Sequence, residues 1–401
     1  MTTRGSILIS GAGVGGPTLA YWLRKYGWEA TVLERATALR TAGQNIDVRG
    51  AGRRVARLMG IEDRIRQAGT GEVGIRFVDG RGRTIVELPA GTGDSDGATA
   101  ELEILRGQLV QLLVELTGDS VEHLYGDHIE GVRQDDDGVT VSFAQAAPRR
   151  FDLLVIAEGL GSRTRRLVFG DEPQVRSLGM YTAYGTIPRA EDDDRWWRWC
   201  AAVGGRAITL RPDNVGTTRA TLSFLSPPRG YEDLRVDRQL EVLRARFADA
   251  GWQAPRILDA LTADPSDFYL DRVAQVHAPS WSRGRVALAG DAAHCASPIS
   301  GMGTSLALTG AYVLAGELAS HRDHRDALRS YESRLKPYVR KAQQLPPGAP
   351  RIVNPISRLG LLAFHTALRL AASPPGRALA SRLFTPPADA FDLPDYTRHV
   401  G

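Results

Sequence analysis

The chain has 401 residues, 43% hydrophobic and 24% charged, more than one small domain needs and unlike a disordered, fibrous or disulfide-built protein. Its net charge of +4 comes from dispersed arginines, with lysine only at Lys25, Lys336 and Lys341 and no basic stripe interleaved with aromatics, so nucleic acid is not expected as a partner. Cys200 and Cys295 build no disulfide framework or metal-type spacing, no signal segment opens the chain, and the longest apolar stretch, 305–318, is too short to span a bilayer; a soluble cytoplasmic protein is expected.

Ser6-Ile7-Leu8-Ile9-Ser10 is an apolar run that predicts a buried strand, and 17–26 has helical spacing through Leu19, Trp22, Leu23 and Tyr26. Residues 30–33 predict a second strand, completing the start of a βαβ unit. A helix is expected over 51–69, and 74–89 alternates on both sides of Gly80-Arg81-Gly82, as a hairpin does. Residues 104–116 read as a helix, 123–143 as two strands around Asp135-Asp136-Asp137-Gly138, and 151–157 as a buried strand. Strand-like pattern fills 176–226, with turns at Pro188, Pro212 and Pro227. Helices are expected over 234–250, 304–320 and 326–344, with a strand over 284–290. Beyond Pro346, 357–371 is amphipathic, with packing on its own domain favoured over a membrane surface.

Together these give an α/β fold: a Rossmann-like dinucleotide-binding domain from 1–70, 100–175 and 271–345. A mostly antiparallel sheet from 71–99 and 176–270, the expected substrate domain, inserts into it twice, and 346–401 forms a C-terminal helical tail.

Gly11, Gly13 and Gly16 spell G-x-G-x-x-G directly after a strand and before a helix. Gly11 permits the tight turn, Gly13 lets a pyrophosphate approach the backbone, and Gly16 lets helix and strand pack closely. The helix N-terminus then meets the phosphates with free N–H groups and a positive dipole end. Glu34 ends the second strand, 23 residues after Gly11, where a carboxylate can bind ribose hydroxyls. Gly69, Gly71 and Gly74 spell the same pattern but precede a strand, so that copy is read as a loop.

The far end of the chain selects the dinucleotide. Residues 285–290 form a strand that delivers Asp291, followed by Ala292-Ala293-His294, Pro298 and Gly301-Met302-Gly303 ahead of a helix. A flexible ribitol needs a fixed carboxylate, which Asp291 offers. The glycines let backbone N–H groups approach an isoalloxazine edge, and the helix start can stabilise negative charge on a reduced flavin. Taken alone, the stretch also fits an ordinary strand–turn–helix with a capping Asp.

Gly11-x-Gly13-x-x-Gly16 with Glu34-Arg35, Arg106 on a helix, and Gly290-Asp291-Ala292-Ala293-His294 resemble the single-component (class A) FAD-dependent monooxygenases. That family has the para-hydroxybenzoate hydroxylase fold and includes the tetracycline-inactivating monooxygenase. The resemblance covers about residues 5–345. It implies Glu34 and Arg35 at the adenosine ribose, Arg106 near the FAD phosphates and Asp291 on ribitol. It also implies Asp47 near the flavin and Arg40 at NADPH; a solvated surface arginine is the plain alternative for Arg40. Two departures stand out: the family's Asp-Gly is Glu158-Gly159 here, and its Gly-Gln-Gly with a following Asn is Gly301-Met302-Gly303-Thr304.

The resemblance implies FAD as cofactor, NAD(P)H as co-substrate and hydroxylation of a small aromatic or polycyclic molecule by dioxygen through a C4a-hydroperoxyflavin. The cofactor carries that chemistry, so no catalytic side chain is required, and His294 is read as a hydrogen-bonded structural histidine. Tyr181, Tyr184, Trp196, Trp197 and Trp199 could form an aromatic wall, but sheet-core packing is the favoured reading for most of them. A reductase or halogenase on the same fold, or a non-catalytic flavin-binding protein, are the other readings.

Overall fold

The structure, a computed structural model, describes residues 4–39, 43–90, 102–346, 348–373 and 387–399. The apolar run at the start forms strand β1 (Ser6–Ser10), helix α1 (Gly15–Lys25) follows, and strand β2 (Glu29–Glu34) pairs parallel to β1. Leu19, Leu23 and Trp22 bury one side of α1 at the 3.6-residue spacing that a helix needs to cover a sheet.

A six-stranded sheet grows from this unit in the order Ser282–Arg283, Val286–Leu288, Leu153–Ile156, β1, β2, Glu122–Tyr125. All its pairings are parallel except the edge pair Ser282–Arg283 with Val286–Leu288. Parallel strands buried on both faces read as continuous apolar runs, and Leu153-Leu154-Val155-Ile156 is fully buried. From β1 the chain builds outward on one side through β2, then crosses back to continue beyond β1 on the other. The crevice between the C-terminal ends of β1 and Leu153–Ile156 is therefore the topological switch point, where open α/β sheets bind ligands.

The second sheet has seven strands in the order Tyr269–His277, Gln174–Pro188, Thr217–Leu225, Arg206–Pro212, Trp197–Ala202, Gly74–Val78, Thr84–Pro89. Only the joint between Trp197–Ala202 and Gly74–Val78 is parallel. Alternate residues Tyr181, Ala183 and Ile187, with Leu222, Phe224, Ile208 and Leu210, bury one face beneath helices Val236–Phe247 and Ala254–Ala263. The other face carries Thr182, Tyr184, Thr209, Arg211, Trp197 and Trp199. Arg211 on this face reaches Glu103 in strand Glu103–Leu105 of the first domain, so this side fronts the dinucleotide-type domain.

Several elements differ from the sequence expectation. The helix expected over 51–69 is two, Gly50–Leu58 and Glu62–Gln67, parted where Gly60 takes φ +74°, a left-handed turn that ends a helix. Strand Tyr269–His277 and helices Arg163–Phe169 and Ala254–Ala263 were not anticipated. In the tail, Arg358–Ala371 is helical and lies by strand Thr84–Pro89, its Phe364 ring edge-on to Phe77, while Leu359, Leu362 and Leu370 are exposed. Among the described residues beyond it, 387–396 form a non-helical strap ending in a 3-10 turn at Thr397–His399, with Ala388, Phe391 and Tyr396 buried in the main core. Tyr396 lies flat against Gly316, where a Cβ would come within 2.2 Å of its ring. Among the described residues no helix is long and apolar enough to cross a membrane.

Candidate active site

The turn from β1 to α1 allows no side chain at two of its three glycines. Gly11 has φ +114°, and a Cβ on it would stand 2.4 Å from the Ala157 carbonyl oxygen. A Cβ on Gly16 would stand 1.9 Å from the Gly11 carbonyl oxygen, so α1 can sit this close to β1 only with glycine there. Gly13 is different: the nearest atom to its Cβ position is Arg106 Nη2, at 3.7 Å. The open face of Gly13 thus lies beneath an exposed guanidinium that has no hydrogen bond or ion pair among the described residues. Helix α1 has neither a side-chain cap nor an acid in its first turn, which leaves its N-terminal dipole uncompensated.

Glu34 closes this end. Its Oε2 accepts from the Ala12 N–H at 3.0 Å and its Oε1 from the Ala36 N–H at 2.9 Å, bracing the glycine turn. Each oxygen keeps a further lone pair for a ribose hydroxyl. Arg35 is exposed beside it, and Tyr125 pairs with Glu34 across the neighbouring strand. Gly69 and Gly71, before strand Gly74–Val78, form a loop at the joint of the domains, as expected of the second glycine pattern.

On the other side of the crevice, Gly290 (φ +56°) turns the chain into the short helix Asp291–His294. The Asp291 carboxylate opens toward the crevice with protein packed around its base. That desolvation pushes its carboxyl up, and Arg106 opposes the shift, so two groups far apart in sequence share one field. Pro298–Ser300 and Gly301 (φ +63°) lead to the helix Gly303–Ser320, which again has no side-chain cap and no acid in its first turn. Cβ atoms on Gly290, Gly301 or Gly303 would meet nothing within 4 Å. Met302 is fully buried and its N–H donates to Ser300 Oγ at 3.1 Å, so it braces the turn.

Asp47 lies in strand Asn45–Asp47, paired with Glu103; its Oδ2 accepts from Arg49 Nη2 at 2.9 Å, and its Oδ1 is buried without a partner. Ser305, in the first turn of the Gly303–Ser320 helix, donates to the Arg49 carbonyl and accepts from its N–H, both at 3.0 Å. Arg40 lies outside the described residues.

The Glu158 departure has a structural account that the sequence hid. Its Oε1 accepts from Ser10 Oγ and Thr164 Oγ1, each at 2.5 Å, and its Oε2 from Ser162 Oγ at 2.8 Å and Thr164 N at 3.1 Å. With four donors taken, the carboxylate ties the end of β1 to the helix Arg163–Phe169. Arg165, unnoticed in the sequence, donates to the carbonyls of Gly159, Leu160 and Ala292 and so links this turn to the Asp291 helix.

One expectation needs correction. His294 is buried against Trp281, with centroids 4.7 Å apart, but neither ring nitrogen has a hydrogen-bond partner among the described residues. Burial holds the imidazole neutral, its pKa pushed down to about 4. Tyr181 belongs to the helix-backed core, its hydroxyl donating to Glu232, and Trp196 lies at the surface under Arg76. Alternation along the strand separates Tyr181 from Tyr184. The face toward the crevice instead carries Tyr184, stacked on Tyr269 at 4.7 Å, and Trp197 and Trp199, 5.4 Å apart.

The donor set fits a flavin dinucleotide: two uncapped helix starts, a guanidinium over Gly13, a carboxylate at Asp291, and glycines where a side chain would fill the crevice. Comparison with known proteins agrees. The family described as FAD binding domain matches residues 4–345. A flavin-dependent monooxygenase of an unknown prokaryotic organism is 38% identical over 340 residues, covering 84% of this chain and 87% of its own. The flavin-dependent monooxygenase eupH of Phoma sp is 34% identical, with 97% of each chain covered. Among solved structures, the tetracycline destructase Tet(51) superposes with a TM-score of 0.82 at 31% identity, over 99% of this chain and 100% of its own.

Proposed function

The chain belongs to the FAD binding domain family, as a flavin-dependent monooxygenase, and on that premise we propose that it hydroxylates a small aromatic or polycyclic molecule with NAD(P)H and dioxygen. The observation that carries this reading is a crevice between Gly13 and Asp291 facing a sheet surface lined by Tyr184, Tyr269, Trp197 and Trp199. Bound FAD would supply the oxygen chemistry, and the chain would hold it and exclude water around it.

Gly13, the start of α1 and Arg106 would bind the pyrophosphate, and Glu34 with Arg35 the adenosine ribose. Asp291 would take a ribitol hydroxyl, and Asp47 would lie near the ring. The turn through Gly301, Met302 and Gly303, shaped by Pro298, would let the ring edge approach, and the uncapped start of the helix Gly303–Ser320 would stabilise anionic charge on it. The aromatic face would orient a flat substrate by stacking, which positions it without a side-chain acid or base. The overall balance is one substrate C–H, one dioxygen, one NAD(P)H and one proton giving C–OH, water and NAD(P)⁺. A halogenase reading lacks its lysine: Lys25 ends α1, Lys336 binds Glu332 and the Pro279 carbonyl, and Lys341 ends the helix His324–Gln343.

The test is to purify the chain, measure bound FAD, and screen aromatic and polyketide compounds for ligand-stimulated NAD(P)H oxidation with labelled dioxygen. A ligand that gains one labelled oxygen supports the proposal. NAD(P)H oxidation that reduces ligands without adding oxygen would replace it with a reductase.

A further inference from the structure

Between the substrate-facing sheet and the crevice lies a buried group of charges that, Asp47 apart, the roles above do not use. Arg211 Nε donates to Glu72 Oε2 at 2.8 Å, Arg211 Nη2 donates to Glu72 Oε1 at 3.2 Å, and the same Nη2 holds Glu103 Oε1. Thr70 Oγ1 donates to Glu103 Oε2 at 2.5 Å. Asp47 pairs with Glu103 across the two-stranded ribbon and with Arg49 by its side chain. The Glu72 and Glu103 side chains are only 1% and 7% exposed, so water offers them little charge compensation.

The groups facing this cluster come from several elements. Glu72 and Thr70 precede strand Gly74–Val78, Asp47 and Asn45 belong to Asn45–Asp47, and Arg49 follows that strand. Glu103 and Arg106 flank the end of Glu103–Leu105, and Arg211 lies on Arg206–Pro212. Arg195 approaches from outside to the Gly71 carbonyl, and Asp213 is occupied by Arg219. Arg106 turns to Gly13 and Asp291, so among the described residues three carboxylates share two guanidiniums, Arg211 and Arg49. Among the described residues that leaves one negative charge in excess around the buried Glu72 and Glu103, where an unpaired charge is costly and a proton relieves it. Burial pushes the Glu72 carboxyl up, Arg211 pulls it down, and Glu103 and Asp47 push it up again.

The cluster also touches both sides of the site. Arg211 stacks over the Trp197 ring at 4.2 Å on the substrate face. Arg49, bound to Asp47, exchanges two hydrogen bonds with Ser305 at the start of the helix that borders the crevice.

Resting on the monooxygenase reading above, we propose that Glu72 and Glu103, held together by Arg211 beside the Asp47–Arg49 pair, share a single exchangeable proton, and that this is the proton each oxygenation consumes. Glu72 holds it at rest as a proton-storing residue. The proton returns from solvent between turnovers, so the group's charge is the same at the start of each cycle.

Infrared difference spectra of the FAD-loaded full chain, in water and heavy water across neutral to alkaline pH, test this directly. The expected result is one protonated-carboxyl band that bleaches only as pH rises above the ordinary carboxylate range, because burial pushes the Glu72 carboxyl up, and that is missing in Glu72→Gln. The ligand-stimulated oxygenation rate should fall on the alkaline side with the same midpoint. In Glu72→Gln that limb should vanish and the rate drop roughly 10-fold or more, the scale of losing a placed proton donor. No such band at any pH in the parent chain overturns the proposal without any variant having to fold. A band that survives in Glu72→Gln also overturns it, as does an unchanged pH profile in that variant. A chain that shows the band but inserts no oxygen into any ligand refutes the oxygenation reading while leaving the shared proton standing, so the two fail separately.

Discussion

Gly13 and Gly16 occupy the same short turn, yet the structure assigns their missing side chains to different causes, and alanine at each should separate them. In Gly16→Ala the methyl would lie 1.9 Å from the Gly11 carbonyl oxygen and 3.1 Å from its carbon, both backbone atoms. Helix α1 must then move off β1, an overpacking that costs about 3 kcal/mol of fold stability. In Gly13→Ala the methyl meets only Arg106 Nη2 at 3.7 Å, an ordinary contact, so the apoprotein should keep its stability to within about 0.5 kcal/mol. That methyl does, however, occupy the face beneath Arg106 where a pyrophosphate would lie. Losing two hydrogen bonds to a charged group, at about 1.5 kcal/mol each, weakens FAD binding by about 3 kcal/mol, or roughly 100-fold in Kd. Flavin-fluorescence titration and urea unfolding of the apoprotein read the two quantities independently. If Gly13→Ala binds FAD as tightly as the parent, or loses as much stability as Gly16→Ala, the assignment of Gly13 to the phosphates is wrong.

Arg106→Ala should likewise leave the apoprotein stable, since its guanidinium has no partner among the described residues, while FAD affinity falls by about 2 kcal/mol on titration. Glu158→Gln should do the reverse. An amide cannot accept all four of the hydrogen bonds the carboxylate takes, and the unfolding free energy from urea titration should fall by about 2 kcal/mol with FAD affinity changed much less. His294 has a folded-state pKa near 4, below its ordinary 6.5, so unfolding takes up a proton. Its contribution is complete above pH 6.5 and is lost as pH falls toward 4, by up to ~1.4 kcal/mol per pH unit. Unfolding curves at pH 7 and pH 5 should therefore converge for His294→Leu relative to the parent; an equal acid loss in both proteins would refute that role.

The β1–α1–β2 unit was readable because everything that specifies it is local: an apolar run, glycines at fixed offsets, helical spacing and a terminal Glu34. The Asp291 turn and the glycines before Gly303–Ser320 were readable for the same reason. Strand Tyr269–His277 was missed because its partner, Gln174–Pro188, lies far earlier in the chain. Glu158 stood out in sequence only as a departure from the family's Asp-Gly, because its donors, Ser10 among them, are joined to it only by the fold. The pairing of Glu72 with Arg211 spans 139 residues, beyond any local pattern. Tyr181 and Tyr184 looked alike in composition, and only the strand's alternation sends one into the core and the other to the crevice. The helix over 357–371 was foreseen, but the burial of Tyr396 on Gly316 carries no signal in sequence.

The six-stranded sheet also dictates an order of assembly. β1 emerges first from the ribosome, but Leu153–Ile156 beside it must wait for Val286–Leu288 before its outer edge is covered. Asp291 and the amides near Gly303 arrive later still, so a nascent chain carries half a crevice for most of its synthesis. Such long-range pairing folds slowly and leaves strand edges open to other chains. A dinucleotide reaching from the first turn to Asp291 would clamp the earliest-made segment to one of the latest, stabilising the finished fold by mass action. Riboflavin supply would then govern how many of these chains survive quality control.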